Sequence, residues 1–478
     1  MNRERREGRS SLSPEARITL GLMLATLAAK LALAAHYDGF LTGDDLEVVQ
    51  SGCRYALGLP YRPWSLRCEF HPLVLVAPLL LPLRLAGFGY PFPARPPDPA
   101  TVAWIAALPT ALASTLSIGL VFRLAPGFGL TRRAAAAAAA FDALHWLPLG
   151  YGATPYPRPI STMLLLAAMT AVASPSRFRP LLGGLLVGAG FAVRFSEGAL
   201  LAPFLLVALR TRRSASTLAL GLAGFLIGAA VCAGGADLLT SGRPFHSLTE
   251  YFRIMYGVSP PSYPHYEKPW SWYATSILQW AGPAGVLLAA FALPARAARL
   301  PLALFATIVL VFSAVNFKTY RYVQAAIPFL AILMAIGWDR GSASPERWRR
   351  AAALALMVAA PLWGIERTFN LLRDESMDAV AAGRWIRTRQ PHPRTVLLEQ
   401  GWAYGGILVL GEEIDVRDLD PRRPLGLAPS DLDGIDAAAF YAADLSSEDR
   451  ELLRREGFAA AARFARYRRP VEVFTPLR

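Results

Sequence analysis

Lysine is nearly missing from this 478-residue chain: Lys30, Lys268 and Lys318 are all there is, and arginine supplies the rest of the 49 basic residues. Charge of any kind is sparse. Asp, Glu, Lys and Arg make up 18% of the residues against 54% hydrophobic, and the mean hydropathy is +0.33. That balance excludes a soluble two- or three-domain protein. Cysteine is scarce too, at three residues, and no Cys/His spacing of the zinc type occurs. The sequence therefore offers no metal ligand set and calls for no cofactor. A single basic patch is also lacking. The net charge is +14, but the arginines fall in clusters between apolar runs, which argues against nucleic acid as a partner. Arginine in place of lysine, with abundant Ala, Gly and Pro, suits a GC-rich bacterial genome.

What the chain does have is apolar runs in series. Residues 18–35, 102–121, 218–232 and 302–315 are nearly free of charge. A bilayer-spanning helix needs roughly 17–25 such residues. The expectation is a polytopic α-helical membrane protein with about eleven spans. Residues 1–17 read as a basic cytoplasmic tail, and 18–35 as an uncleaved first span. Residues 72–88 are apolar but carry Pro78, Pro82 and Arg84. If they lie along the interface, the arginine clusters at 123–133, 177–179, 210–213, 296–299 and 340–350 all fall on the side of the basic N-terminus. The positive-inside rule selects that arrangement. The membrane part then covers 18–365. Its outer face carries a first loop (37–100), a large loop (237–276), a cationic loop (316–322) and a short segment (149–159). Residues 366–478 are more polar and read as a small extracytoplasmic α/β domain, with strands near 395–400, 438–443 and 471–474 and a capped helix at 448–456. That domain has no Gly-rich phosphate fingerprint.

The first outer loop is the most polar stretch of the membrane part. It contains Asp44, Asp45, Glu47, Arg54, Arg62, Arg67, Glu69 and His71. Adjacent carboxylates repel, so one of the Asp44–Asp45 pair is expected to have a raised pKa suited to general-base work. Acids before a helix-like run also serve as N-caps, and one can cap while the other acts. Cys53 and Cys68 share this loop, and pairing stays open; Cys232 reads as a packing residue. In the large loop, Tyr266, Lys268, Trp270, Trp272 and Tyr273 fit either an interfacial aromatic belt or a wall for a sugar or headgroup. In the third loop, Lys318, Arg321 and Tyr322 fit either snorkelling side chains or a cradle for phosphate. Arg158, Arg194 and Glu197 are weaker candidates of the same kind.

These three loops resemble those of a known family. An acid pair soon after span 1, followed by Leu57-Gly58, Trp64 and Leu66-Arg67, is similar to the first lumenal loop of the class C glycosyltransferases, GT-C, and above all to the family 22 mannosyltransferases. Residues 266–273 resemble that family's Tyr-Gly-x-His-Pro-Trp-His-Trp-Tyr stretch, one residue short after Tyr266. Lys318, Arg321 and Tyr322 fall where the family has His-Lys-Glu-x-Arg-Phe before a proline-bearing span, here with Pro328. Phe317 and Thr319 replace the family's His and Glu, and Lys268 and Ser271 its two loop histidines. The resemblance implies inverting transfer of a hexose, mannose by family, from a polyprenyl-phosphate donor to a glycan or lipid-linked acceptor, without a nucleotide sugar. It implies a bacterial inner-membrane enzyme with its chemistry outside. Asp44 is then the base and Asp45 its alternate. Arg67, Tyr266, Lys268, Trp270, Trp272, Tyr273, Lys318, Arg321 and Tyr322 bind substrate, with Lys318, Arg321 and Lys268 taking the phosphate. A flippase of lipid-linked sugars is the competing reading, but it needs polar residues through the membrane interior, and this chain keeps most of its polar groups at span ends.

Overall fold

A computed structural model of the chain describes residues 12–477 apart from 37–42, 64–66, 91–94, 174–175, 177, 213, 257–266, 375–377, 400, 420–425 and 467–468. The chain begins with α1 (Pro14–His36), α2 (Gly43–Leu57), α3 (Ala77–Leu85) and α4 (Pro99–Leu124). It continues with α5 (Arg132–Leu144), α6 (Trp146–Tyr151), α7 (Arg158–Val172), α8 (Arg179–Val193), α9 (Leu201–Arg212) and α10 (Ala215–Ala229). Among the described residues six helical stretches are long and apolar enough to cross a bilayer, and four further apolar helices have 10–17 residues. The expected figure of about eleven is thus not reached by length. Proline and glycine divide the apolar runs: α5 ends before Pro148, and the run after Ile277 is broken at Gly282-Pro283.

The helix Ile327–Ser342 is the hub, with nearly every side chain buried. It packs against α5, Pro283–Ala292, Arg299–Ser313 and Arg347–Asp374. The alanines of α5 allow that approach, and Ala134, Ala135, Ala137, Ala138 and Ala139 are buried. Close packing between α8 and α10 rests on glycine. A Cβ on Gly184 would collide with the Gly221 carbonyl, and one on Gly188 with that of Phe225. The segment after α2 holds a π-helical turn, His71–Val76, leading into α3. At 15 residues the pair falls short of the roughly 20 that a span needs.

A five-stranded sheet closes the chain, with β1 (Thr395–Leu398), β2 (Asp415–Asp418), β3 (Ala437–Tyr441), β4 (Phe458–Phe464) and β5 (Val471–Pro476) in the order β2-β1-β3-β5-β4. β1 pairs parallel with β2 and β3, while β5 pairs antiparallel with β3 and β4. Ser446 and Asp449 form the capping box of the helix Ser447–Arg455. The sheet domain seats on α2. Val380, Leu408 and Val409 share a buried cluster with Leu46, Val49 and Cys53, and the Gln50 carbonyl accepts from the Leu408 amide at 3.3 Å. Cys53 and Cys68 are unpaired and lie in different apolar clusters.

Candidate active site

Asp44 and Asp45 open α2, where the helix dipole favours acids. Asp44 does not face solvent. Its carboxylate is held by Arg67, by Arg194 at 3.0 Å and by Arg321 at 3.5 Å. Three separate elements deliver these guanidiniums. Arg67 comes from the loop after α2. Arg194 is the extended residue that ends α8. Arg321 sits in the 3₁₀ turn Tyr320–Ala326 ahead of the hub helix.

Aromatic rings and a buried ion pair fix the arginines. Arg321 lies over the Tyr156 ring at 5.2 Å, and Arg194 over Tyr156 and Tyr322 at 5.9 and 5.8 Å. Beneath them Arg158 stacks on Tyr322 at 4.1 Å and pairs with Glu197, both side chains being almost wholly buried. Arg158 also donates to the Tyr156 hydroxyl at 2.8 Å and to Ser196 at 3.2 Å. The pair thus ties the turn bearing Arg194 to the turn bearing Arg321. Such a pair is costly to desolvate, and breaking it is costlier still.

The electrostatics correct one expectation. Burial would raise the Asp44 pKa, but Arg194, Arg67 and Arg321 together outweigh it and hold the carboxyl well below the usual range. The raised value expected from two adjacent aspartates is not found at Asp44. Asp45 is fully buried and accepts from the Thr154 hydroxyl at 3.3 Å. The loop's raised carboxyl is Glu69: burial first, then the Glu47 charge, push it up to about 7. Glu47 in turn accepts from the Tyr61 hydroxyl.

The other two loops form a clasp. Glu267 and Phe317 make an antiparallel bridge, and the Lys268 amide donates to the Asn316 carbonyl at 3.1 Å. The Lys318 ammonium, 2% exposed, donates to the Lys268 carbonyl at 2.9 Å and to that of Val315. The Tyr273 hydroxyl donates to the Thr319 carbonyl at 2.9 Å, and Trp272 stacks on Tyr320 at 4.6 Å. Trp270 stands out from this clasp at 73% exposure.

The sequence candidates therefore divide. Asp44, Arg67, Arg321 and Tyr322 come together, with Asp45 buried next along α2. Lys268, Trp272, Tyr273 and Lys318 hold two loops against each other. Tyr266 and Trp64 lie outside the described residues. Sequence reasoning underrated Arg194. Its signal was present: an arginine at the turn of two short apolar helices, where a solvated or snorkelling side chain and a polar site look alike. Tyr156 and Thr154 gave no signal.

The sequence profile of the Alg9-like mannosyltransferase family matches residues 67–393, more than half of the chain. Comparison with curated protein sequences gives no match. Among solved structures, ArnT from Cupriavidus metallidurans in the apo state is similar with a TM-score of 0.62 at 16% identity, covering 95% of this chain and 98% of that one. The same ArnT bound to undecaprenyl phosphate gives 0.59 at 17% identity and the same coverage. The apo oligosaccharyltransferase of Archaeoglobus fulgidus gives 0.51 at 12% identity, covering 88% of this chain and 69% of that one. At these identities the likeness is one of fold, the class C glycosyltransferase fold.

Proposed function

The chain belongs to the Alg9-like mannosyltransferase family and is an integral membrane glycosyltransferase, and we propose that it moves a hexose from a polyprenyl-phosphate donor to an acceptor hydroxyl on the outer face. One observation carries this reading. Arg67, Arg194 and Arg321 converge on a single carboxylate, beside the loops that the positive-inside rule puts outside. Guanidiniums fixed in this way suit a phosphate monoanion better than a free carboxylate needs. ArnT, which shares the fold, has been solved with undecaprenyl phosphate. Mannose is the sugar that family membership favours.

The reaction is a direct displacement. The acceptor oxygen attacks the anomeric carbon from the face opposite the lipid phosphate. The bond from that carbon to the phosphate oxygen breaks, and its electron pair leaves with the phosphate. Arg67, Arg194 and Arg321 meet the growing charge. The same contacts solve the problem of the depressed pKa. A donor phosphate competes with Asp44 for the guanidiniums. As they turn to the phosphate, Asp44 loses its partners and becomes basic enough to take the acceptor proton. Asp45 is the alternate acceptor. Lys318 and Lys268 hold the loop of Arg321 and Tyr322 in place and add positive potential. Trp270, which stands exposed, and Trp272 beside it offer a wall for the sugar. On this topology the N-terminus is cytoplasmic, the spans number about eleven and the sheet domain lies outside, in the inner membrane of a bacterium.

A flippase keeps one argument. Lys30 and Asp142 are buried inside the bundle, near a small cavity lined by Ser114, Ser117, Asp142, Thr162 and Gln324. Intramembrane charges of this kind often mark a path. Donor choice and stereochemistry decide. Purified protein in lipid discs is given polyprenyl-phosphate mannose, polyprenyl-phosphate glucose and GDP-mannose, each with a host lipid extract. The proposal expects transfer from a polyprenyl-phosphate sugar alone, with inversion at the anomeric carbon by NMR. Transfer from GDP-mannose, or retention, overturns it.

A further inference from the structure

Next to the arginine cage is a small, partly open cavity whose polar side-chain lining includes Glu47, Ser51, Arg67, Glu69, His71 and Arg194. Its two walls differ in chemistry. Arg67 and Arg194 are the guanidiniums that hold Asp44. The opposite wall is acid, hydroxyl and imidazole. His71 is 1% exposed, and among the described residues neither ring nitrogen has a partner; the Ser51 hydroxyl is buried beside Glu69. Buried polar groups are rarely left so, because each costs the water it gave up. His71 opens the π-helical turn His71–Val76, a local irregularity common where a side chain must be aimed at a site. Glu69 is fixed by the Tyr55 hydroxyl at 3.1 Å on one of its oxygens.

We propose that this cavity is the acceptor subsite, and that it takes one hydroxyl or hydroxymethyl group of a polyol of the sugar class. The inference rests on the glycosyl-transfer reading and adds the acceptor's seat to it. A hydroxyl both donates and accepts, and the wall offers both complements. Glu69 accepts the hydroxyl hydrogen, and His71 donates a ring N–H to the hydroxyl oxygen. Burial keeps the imidazole neutral, so its other nitrogen remains an acceptor for a neighbouring hydroxyl. An anion is disfavoured on this side by Glu47 and Glu69. A cation is disfavoured by Arg67 and Arg194. A neutral polyol avoids both penalties. The two substrates then lie on the two walls of one cavity, the lipid phosphate on the arginines and the hydroxyl on Glu69 and His71. Glu69 and His71 act as binding and positioning residues for this anchoring hydroxyl, and the reacting hydroxyl is a neighbouring one of the same polyol, which gives its proton to Asp44.

The test separates binding of the two substrates. Octyl α-mannoside is the polyol probe, followed by saturation-transfer NMR on the full-length protein in lipid discs. Undecaprenyl phosphate is the donor-side probe, followed by tryptophan fluorescence. Wild type is expected to bind both. H71A should weaken octyl mannoside by about tenfold or more, as loss of one good hydrogen bond does; E69Q, whose amide oxygen still accepts but without the charge, should weaken it several-fold; both should leave undecaprenyl phosphate affinity within about twofold. S51A, the smallest change in the cavity wall, should give a smaller loss in the same direction and guards against a misfolded variant. Absence of saturable octyl mannoside binding to wild type overturns the inference, and so does equal binding to wild type, E69Q and H71A. A wild type that binds octyl mannoside but neither undecaprenyl phosphate nor its mannosyl ester overturns the transfer reading and leaves the polyol subsite standing.

Discussion

Replacing Asp44 with asparagine should do two opposite things. The carboxylate is 8% exposed and neutralises guanidiniums that are 13–23% exposed. Unit charges 3–4 Å apart interact by about 4–5 kcal/mol at an effective dielectric of 20, before desolvation and side-chain ordering are subtracted. An asparagine keeps the shape, but its single amide oxygen replaces two acceptor oxygens and the cage is left uncompensated. A phosphate entering that cage no longer competes with a carboxylate, so undecaprenyl phosphate should bind about ten- to a hundredfold tighter, roughly 1.4–2.8 kcal/mol. Turnover should fall by about 10²–10⁴, the usual worth of a positioned general base. Both are read from one preparation in lipid discs, by fluorescence titration with undecaprenyl phosphate and by mannosyl transfer. A thermal unfolding scan checks that the variant is folded. Weaker phosphate binding by folded Asp44→Asn protein refutes the idea that Asp44 and phosphate compete for one cage. Near-normal turnover refutes the role of Asp44 altogether.

Acceptor affinity should rise with pH. Glu69, at about 7, is roughly 90% protonated at pH 6 and roughly 90% ionised at pH 8. The ionised form accepts the hydroxyl hydrogen more strongly than the neutral acid does, so the acceptor KM should fall several-fold across that interval in wild type and stay flat in E69Q. Glu47, Arg54 and Tyr55 also act on Glu69, with Arg67, His71 and Arg194 around the same cavity; a limb that survives in E69Q shows that Glu69 is not the group responsible. Arg158→Met leaves the Glu197 charge buried and should cost about 3–5 kcal/mol of stability. The double variant Arg158→Met/Glu197→Met should recover much of that loss in a thermal scan. Lys318→Met orphans the carbonyls of Lys268 and Val315 and should lower stability by about 1–3 kcal/mol, with faster proteolysis of the clasp as the local sign.

Most of the membrane architecture was legible because it is written in composition. The apolar runs, the arginine clusters between them and the loss of long apolar runs after residue 365 locate the bundle and the sheet domain. The lengths of the individual helices were less legible. Pro148 and Pro283 cut apolar runs that window-averaged hydropathy joins. In the sheet domain, β1, β3 and β5 are apolar and readable. The edge strand β2 reads Asp-Val-Arg-Asp and β4 is rich in alanine, so neither has the alternation or β-branching that marks a strand. At the site, Asp44, Arg67 and Arg321 were found from loop polarity and the family's motifs. In the sequence Lys318 fits a snorkelling side chain and a phosphate cradle equally well. The structure buries it against two carbonyls, a contact that depends on how two distant loops meet. Arg194 and Tyr156 complete the cage from chain positions far from the acid pair, and no local pattern announces that.

The central claim is sugar transfer from a lipid phosphate, with Asp44 at the reaction centre. It is tested most directly by following release of polyprenyl phosphate from polyprenyl-phosphate mannose, with wild type and Asp44→Asn protein in lipid discs supplied with a host lipid extract. Release and a mannosylated product from wild type, with at most about one hundredth of that rate from Asp44→Asn, is the predicted result. No release from wild type, with intact lipid-linked sugar crossing the bilayer when the protein is placed in vesicles, contradicts the account and makes the protein a flippase.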